Sequence, residues 1–203
     1  MEKAKSSDIF VIDNLIARSY QLALQRAVLS RDFQWTYEPA TAHPDSDDIF
    51  VDSNTQETHQ FVNKLFNDRE NISHPQLAFF LPLILTAQDH IEIPTTITRV
   101  KANLLLQDKS ISKELHHTAH VDIKVPHWAL IYYVHDSDGD TIIFDQEFGK
   151  EFDQLTIKQR VTPKQGRAVI FNGKYFHTSS SPRDHKIRNV LNCTLETLKG
   201  ESE

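Results

Sequence analysis

His116-His117-Thr118-Ala119-His120-Val121-Asp122 is the stretch on which the reading of this chain turns. In an extended strand the side chains of residues i and i+2 leave the same face, so His120 and Asp122 can address one metal ion together. A third ligand from a distant strand would complete a two-histidine, one-carboxylate set that leaves the ion's remaining positions open. The pattern alone is weak. With 11 histidines in 203 residues, His-x-Asp is expected roughly once by chance. It occurs twice. His43/Asp45 brackets Pro44 in an acidic, turn-rich run, where no strand is expected. His120/Asp122 falls where residues 118–125 read as a strand, so its surroundings decide its weight.

Working outward, residues 95–106 are rich in Thr, Ile, Val and Leu and read as a long strand. Residues 128–134 form an apolar, aromatic strand, 135–140 a turn, and 141–144 the return of a hairpin. Further strands are expected at 155–161 and 167–171, separated by the turn Pro163-Lys164-Gln165-Gly166, and a last long strand at 187–195. Seven or eight short strands at this spacing point to a sandwich or jelly roll. Before residue 95 the pattern is mostly helical. A helix is predicted over 13–29 with Asp13 as its N-cap. A short one is expected over 59–67 with Phe61, Leu65 and Phe66 inward. A strongly apolar one follows over 75–89, with Pro75 in its first turn and Pro82 able to kink it. Phe33, Trp35 and Tyr37 alternate as a strand with a buried aromatic face, and 39–58 reads as an exposed polar loop or flap. The expectation is an α+β chain of one domain over 1–203: a helical support region over 1–94 covering one sheet face, and a strand-built core over 95–197.

The third ligand expected from this layout is His177, which follows the turn Asn172-Gly173. The strand ending there can lie opposite the strand carrying His120. Arg188 comes 11 residues after His177 and opens the final strand. An arginine inside the roll needs an anionic partner, and a dicarboxylate co-substrate would supply one through the two-bond fork that lysine cannot form. Zinc is the competing metal for such a set, but His-Glu-x-x-His is absent. A cupin pattern would need His-x-His plus glutamate. Asp136, Asp138, Asp140 and Glu147 fall at calcium-loop spacing, yet Thr141 occupies the glycine position and strands flank the segment.

Composition narrows the classes further. The net charge is −6, which gives no support to a nucleic-acid binder. Cys193 is the single cysteine, so neither a disulfide framework nor a cysteine metal site is expected, and a reducing compartment is the default. Residues 1–7 are polar and lead into no long apolar run, so no signal peptide and no membrane span are expected, and the cytoplasm is the expected location.

Taken in order, the motifs carry a resemblance. His120-Val121-Asp122, the strand 128–133, Asp138-Gly139-Asp140-Thr141-Ile142-Ile143-Phe144, Pro163-x-x-Gly166-Arg167-Ala168-Val169-Ile170-Phe171, His177 and Arg188-Asn189-Val190-Leu191-Asn192 come in the order of the iron(II)/2-oxoglutarate-dependent dioxygenases. The chain is most similar to their prolyl-hydroxylase-like members, particularly small ones from bacteriophages and marine bacteria; for a phage-encoded chain, the host cytoplasm would be the location. The likeness spans 95–196, with looser echoes in Arg99-Val100-Lys101-Ala102-Asn103-Leu104-Leu105 and Phe33-x-Trp35.

The resemblance implies a double-stranded β-helix. It implies Fe(II) held by His120, Asp122 and His177, with O2 as oxidant and 2-oxoglutarate as co-substrate, its far carboxylate on Arg188. It makes Asn103 a second contact to 2-oxoglutarate, and His117 stands near where prolyl hydroxylases often carry a co-substrate-binding tyrosine. Val190 stands where many members have Ser or Thr. Asp122 is retained, which disfavours a halogenase. Hydroxylation of a C–H bond follows, with ascorbate as a supporting reductant and a peptidyl residue such as proline as the first substrate reading. A small metabolite or nucleobase is the second reading, and a non-catalytic β-roll binding module the third. Trp128, His127, Tyr175, Lys174 and the 39–58 segment are candidates to line the entrance.

Overall fold

The computed structural model describes residues 7–42 and 48–198. In chain order its elements are β1 (Ile9–Ile12), α1 (Arg18–Val28), β2 (Thr36–Glu38), β3 (Ile49–Phe50), β4 (Gln60–Asn67), β5 (Ile72–Ser73) and α2 (Leu77–Gln88). They continue with β6 (Thr95–Leu106), β7 (Ala119–His120), β8 (His127–Tyr133), β9 (Thr141–Glu147), β10 (Ile157–Val161), β11 (Ala168–Asn172), β12 (Tyr175–Ser179) and β13 (Ile187–Thr197). The larger sheet runs β1-β11-β8-β13-β6-β4-β2, with β5 beside β4; the smaller runs β10-β9-β12-β7-β3.

From β6 onward the antiparallel pairs are nested. β9 pairs β10, β8 pairs β11, β7 pairs β12 and β6 pairs β13. The chain is therefore one long ribbon, folded back after β9 and rolled so that successive rungs fall alternately in the two sheets. This is a jelly roll, and it brings residues far apart in sequence into one register. Apolar residues seal the space between the sheets: Ile131, Tyr133, Val169, Phe171 and Val190 of the larger sheet cluster with Ile143, Val161 and Tyr175 of the smaller. A second cluster joins Leu24 and Val28 of α1 and Phe80, Leu83 and Ile84 of α2 to Val100, Leu130, Ile170, Leu191 and Cys193 of the larger sheet. Buried among these, Cys193 forms no disulfide. No helix among the described residues is long and apolar enough to cross a membrane.

The N-terminal half departs from its sequence reading in four places. Residues 60–67 form a strand rather than a helix. β4 lies against β6, with Phe61 opposite Leu104 and Val62 opposite Asn103, and its register shifts between Lys64 and Phe66. That irregularity interrupts strict alternation, so Leu65 and Phe66 both meet the helix-covered core while Val62 lines the other face, and the apolar residues take a helix-like spacing. Second, α1 begins at Arg18 with Ala17 as N-cap; Asp13 instead pairs with Arg167, Oδ1 to Nε at 2.6 Å. Third, the strand near residue 35 is only Thr36–Glu38. Phe33 is buried in the core, whereas Tyr37 is 59% exposed and stacks on His59. Fourth, the 39–58 segment contains β3, which adds to the smaller sheet beside β7, and β1 extends the larger sheet at β11. The reading of His43/Asp45 lies outside the described residues, as does most of the polar leader.

Candidate metal centre

His120 on β7 and His177 on β12 are direct partners in the antiparallel register. They sit on adjacent strands of one sheet, not across the roll as the sequence reading had it. Their ring centroids lie 4.7 Å apart. Asp122 follows β7 in a bend, so the strand read over 118–125 is reduced to two residues. The three side chains still converge, each offering a ligand atom within 4.8 Å of the others. Asp122 Oδ1 is 3.9 Å from His120 Nε2 and Asp122 Oδ2 is 3.8 Å from His177 Nε2.

Local hydrogen bonds set the tautomers. His120 Nδ1 faces the Thr118 carbonyl at 3.2 Å and His177 Nδ1 faces the Tyr175 carbonyl at 3.3 Å. A ring nitrogen facing a carbonyl carries the proton in the neutral ring, which leaves the Nε2 lone pair free in both residues. Burial pushes the His177 imidazole down to about 3, against the pull of Asp122, and lowers His120 as well. Burial by itself would raise Asp122, but Arg99 and the two histidines outweigh it and hold its carboxyl well below the usual range. Neutral imidazoles beside an ionised carboxylate are the protonation states that bind metal. Asp122 Oδ2 and His177 Nε2 are buried with no hydrogen-bond partner among the described residues. Native proteins seldom leave such atoms unpaired. A divalent cation between the three side chains would pair both, and this donor set fits iron(II).

Arg99 had no role in the sequence reading. It donates from Nη2 to Asp122 Oδ1 at 2.5 Å and to Asn192 Oδ1 at 3.4 Å. One carboxylate oxygen is thereby tied and the other left to the centre. The available signal was alternation on β6: Arg99, Lys101 and Asn103 occupy every second position of a stretch, 99–106, whose other residues are apolar. Lys101 and Asn103 line the cavity beside the triad together with His120, His177, Arg188 and Asn192. Burial, with Arg99 close by, lowers the Lys101 ammonium to about 8.

Arg188 is 4% exposed. Its Nε donates to the Gly139 carbonyl at 2.7 Å and its Nη2 to Thr141 Oγ1 at 2.8 Å. No carboxylate pairs with it among the described residues. Gly139 is needed for this close approach: a Cβ there would lie 2.4 Å from the Ser180 carbonyl oxygen and 2.9 Å from Arg188 Cδ. Asn103 donates from Nδ2 to Gln60 Oε1 at 2.7 Å. His117 is not among the cavity-lining residues. It is 1% exposed, and its ring nitrogens meet Ser179 Oγ at 3.2 Å and Ser181 Oγ at 3.0 Å. Ser179 does line the cavity.

The expected entrance residues mostly sit elsewhere. Trp128 belongs to the core, His127 packs on Gly173, and Tyr175 and Lys174 both engage Asp8. From the 39–58 segment, Thr41 reaches the cavity. In the acidic hairpin, Asp138 accepts the backbone N–H groups of Arg183, Asp184 and His185. Asp138 thereby caps the loop between β12 and β13.

No family model and no curated protein matches this sequence. Solved structures do match. One is an oxidoreductase of the 2OG-Fe(II) oxygenase family from Burkholderia pseudomallei, at TM-score 0.62 and 14% identity, over 95% of this chain and 87% of that one. Another is a prolyl hydroxylase from Trichoplax adhaerens, solved with a peptide fragment of the hypoxia inducible factor oxygen degradation domain. It matches at TM-score 0.60 and 10% identity, over 94% of this chain and 84% of that one. A third is the non-heme alpha ketoglutarate dependent carbocyclase SnoK from nogalamycin biosynthesis, at TM-score 0.62 and 12% identity, over 95% and 81%. At these identities the likeness establishes the fold, which is that of the 2OG-Fe(II) oxygenases.

Proposed function

We propose that this chain is an iron(II)- and 2-oxoglutarate-dependent oxygenase that hydroxylates a C–H bond. The observation that carries the reading is the convergence of His120, Asp122 and His177 beside a cavity that also holds the buried, anion-free guanidinium of Arg188. Iron(II), when bound, supplies the redox chemistry by which O2 oxidises 2-oxoglutarate to succinate and carbon dioxide and puts its second oxygen atom into the substrate. The protein's part is positioning and exclusion of water.

His120, Asp122 and His177 hold the metal on one side. Arg188 takes the far carboxylate of 2-oxoglutarate, because a guanidinium anchored through Nε and Nη2 still offers unused N–H donors in a planar fork. Asn103 adds a second contact through the Nδ2 proton not used by Gln60. His117 acts at one remove, orienting Ser179 on the cavity wall. A peptidyl residue such as proline remains the first substrate reading, supported by the peptide in the Trichoplax adhaerens structure. SnoK, from nogalamycin biosynthesis, supports a small-molecule substrate instead.

The test is direct. Purified protein supplied with iron(II), ascorbate, 2-oxoglutarate and O2 should bind about one iron per chain and release succinate slowly without added substrate. His120→Ala should abolish both. Unchanged succinate release in that variant would sink the assignment of the metal to His120, Asp122 and His177, and a wild-type chain that takes up no iron would favour a non-catalytic binding module.

A further inference from the structure

We infer that the primary substrate carries an anionic group, a carboxylate or phosphate, which docks on Lys101 at the mouth of the metal cavity. This deepens the oxygenase reading and rests on it. Lys101 lines the cavity that holds His120 and His177 and also lines a groove of about 340 Å³ over β4 and β6. Thr41, Gln60 and Lys101 are common to both, so a molecule lying in the groove reaches the metal past the Lys101 ammonium.

Three cations line this region, and two of them are neutralised. Lys64, directly opposite Lys101 in the β4–β6 register, pairs with Glu70 at 2.8 Å. Arg99 pairs with Asp122 at 2.5 Å. Lys101 has neither a carboxylate within ion-pair distance nor a hydrogen-bond acceptor among the described residues; Glu38, which also lines the groove, does not reach it. A partly buried ammonium with no partner is unfavourable, and an incoming anion relieves it. Lysine offers a point charge rather than a fork, so it suits either a carboxylate or a phosphate. Arg188 serves a separate position. On β13 it stands opposite Leu105, whereas Asn192 stands opposite Lys101. These positions are four residues apart, roughly 13 Å along the strand.

The full chain loaded with zinc(II) and 2-oxoglutarate is titrated with acetate and, separately, with inorganic phosphate, and followed by amide NMR. Saturable shifts are expected around Lys101 for at least one anion; the tighter of the two names the group. Lys101→Met should weaken that binding by about tenfold or more and Lys101→Arg should restore it, while Lys158→Met, a change to a lysine paired with Asp145 on the smaller sheet, leaves it in place. Equal affinity in Lys101→Met overturns the inference, as does the absence of saturable shifts near Lys101. Anion shifts near Lys101 that are seen without 2-oxoglutarate but not in the loaded chain also overturn it, because Lys101 then belongs to the co-substrate. Failure to bind zinc or 2-oxoglutarate would count against the oxygenase reading alone, and the same titration of the metal-free chain still reads Lys101.

Discussion

Replacing Arg188 by methionine keeps much of the apolar stem and removes the one buried cation at the head of β13. In the wild type, the Gly139 carbonyl and Thr141 Oγ1 hold the guanidinium in a fixed plane at 2.7 and 2.8 Å. A carboxylate docking on the remaining donors gains two charge-assisted bonds, each contributing about 1.5–3 kcal/mol. Their loss predicts a rise in the 2-oxoglutarate Kd of roughly a hundredfold or more. Arg188→Lys keeps the charge but neither the plane nor the fork, and should weaken binding by about tenfold. Gly139→Ala should do the same indirectly, since its Cβ would lie 2.9 Å from Arg188 Cδ. The assay is calorimetric titration of 2-oxoglutarate into the zinc-loaded chain, with zinc affinity measured in parallel as a control. If Arg188→Met keeps its 2-oxoglutarate Kd within about threefold of wild type, the far carboxylate is held elsewhere and the role given to Arg188 is wrong.

Other outcomes follow from the same geometry. Arg99→Met leaves Asp122 buried without its counter-charge and should lower the stability of the metal-free chain by about 3 kcal/mol in urea unfolding; adding Asp122→Asn should recover most of this, and simple additivity of the two changes would refute the coupling. His117 is held neutral in the fold, its imidazole pushed down to about 4 by burial. Its contribution is complete above the unfolded value near 6.5 and fades as pH falls from there towards 4, so about 2 kcal/mol should be lost between pH 7 and pH 5. His177 adds a loss in the same direction, and His117→Asn should flatten the profile; an unchanged slope in that variant would count against it. Gly173→Ala places a Cβ 2.0 Å from His127 Nε2 and should destabilise by about 3 kcal/mol. His127→Ala in the same chain should relieve most of that, and thermal unfolding of the pair decides it.

From residue 95 onward the sequence by itself determined much of this protein. Alternation and turn chemistry are local properties, and they marked β6, β8, β9, β11 and β13 close to their observed bounds. They also singled out His120, Asp122, His177 and Arg188, which do converge on one region. Upstream, local pattern failed where a long-range pairing overrode it. Phe61, Leu65 and Phe66 look helical, yet β6 accepts them as a strand because an irregularity near Lys64 resets which side chains turn inward.

Tertiary structure alone decided the partners. Asp13 was assigned a helix cap but meets Arg167 across the fold. His117 looked like a site residue but is turned to Ser179 and Ser181. Arg99 and Lys101, two residues apart on one face, have opposite fates: Arg99 is tied to Asp122 and Lys101 is left without an anion. A sequence shows which side chains share a face. Which charge lies opposite which depends on the register between strands that the rolled ribbon brings together from far along the chain.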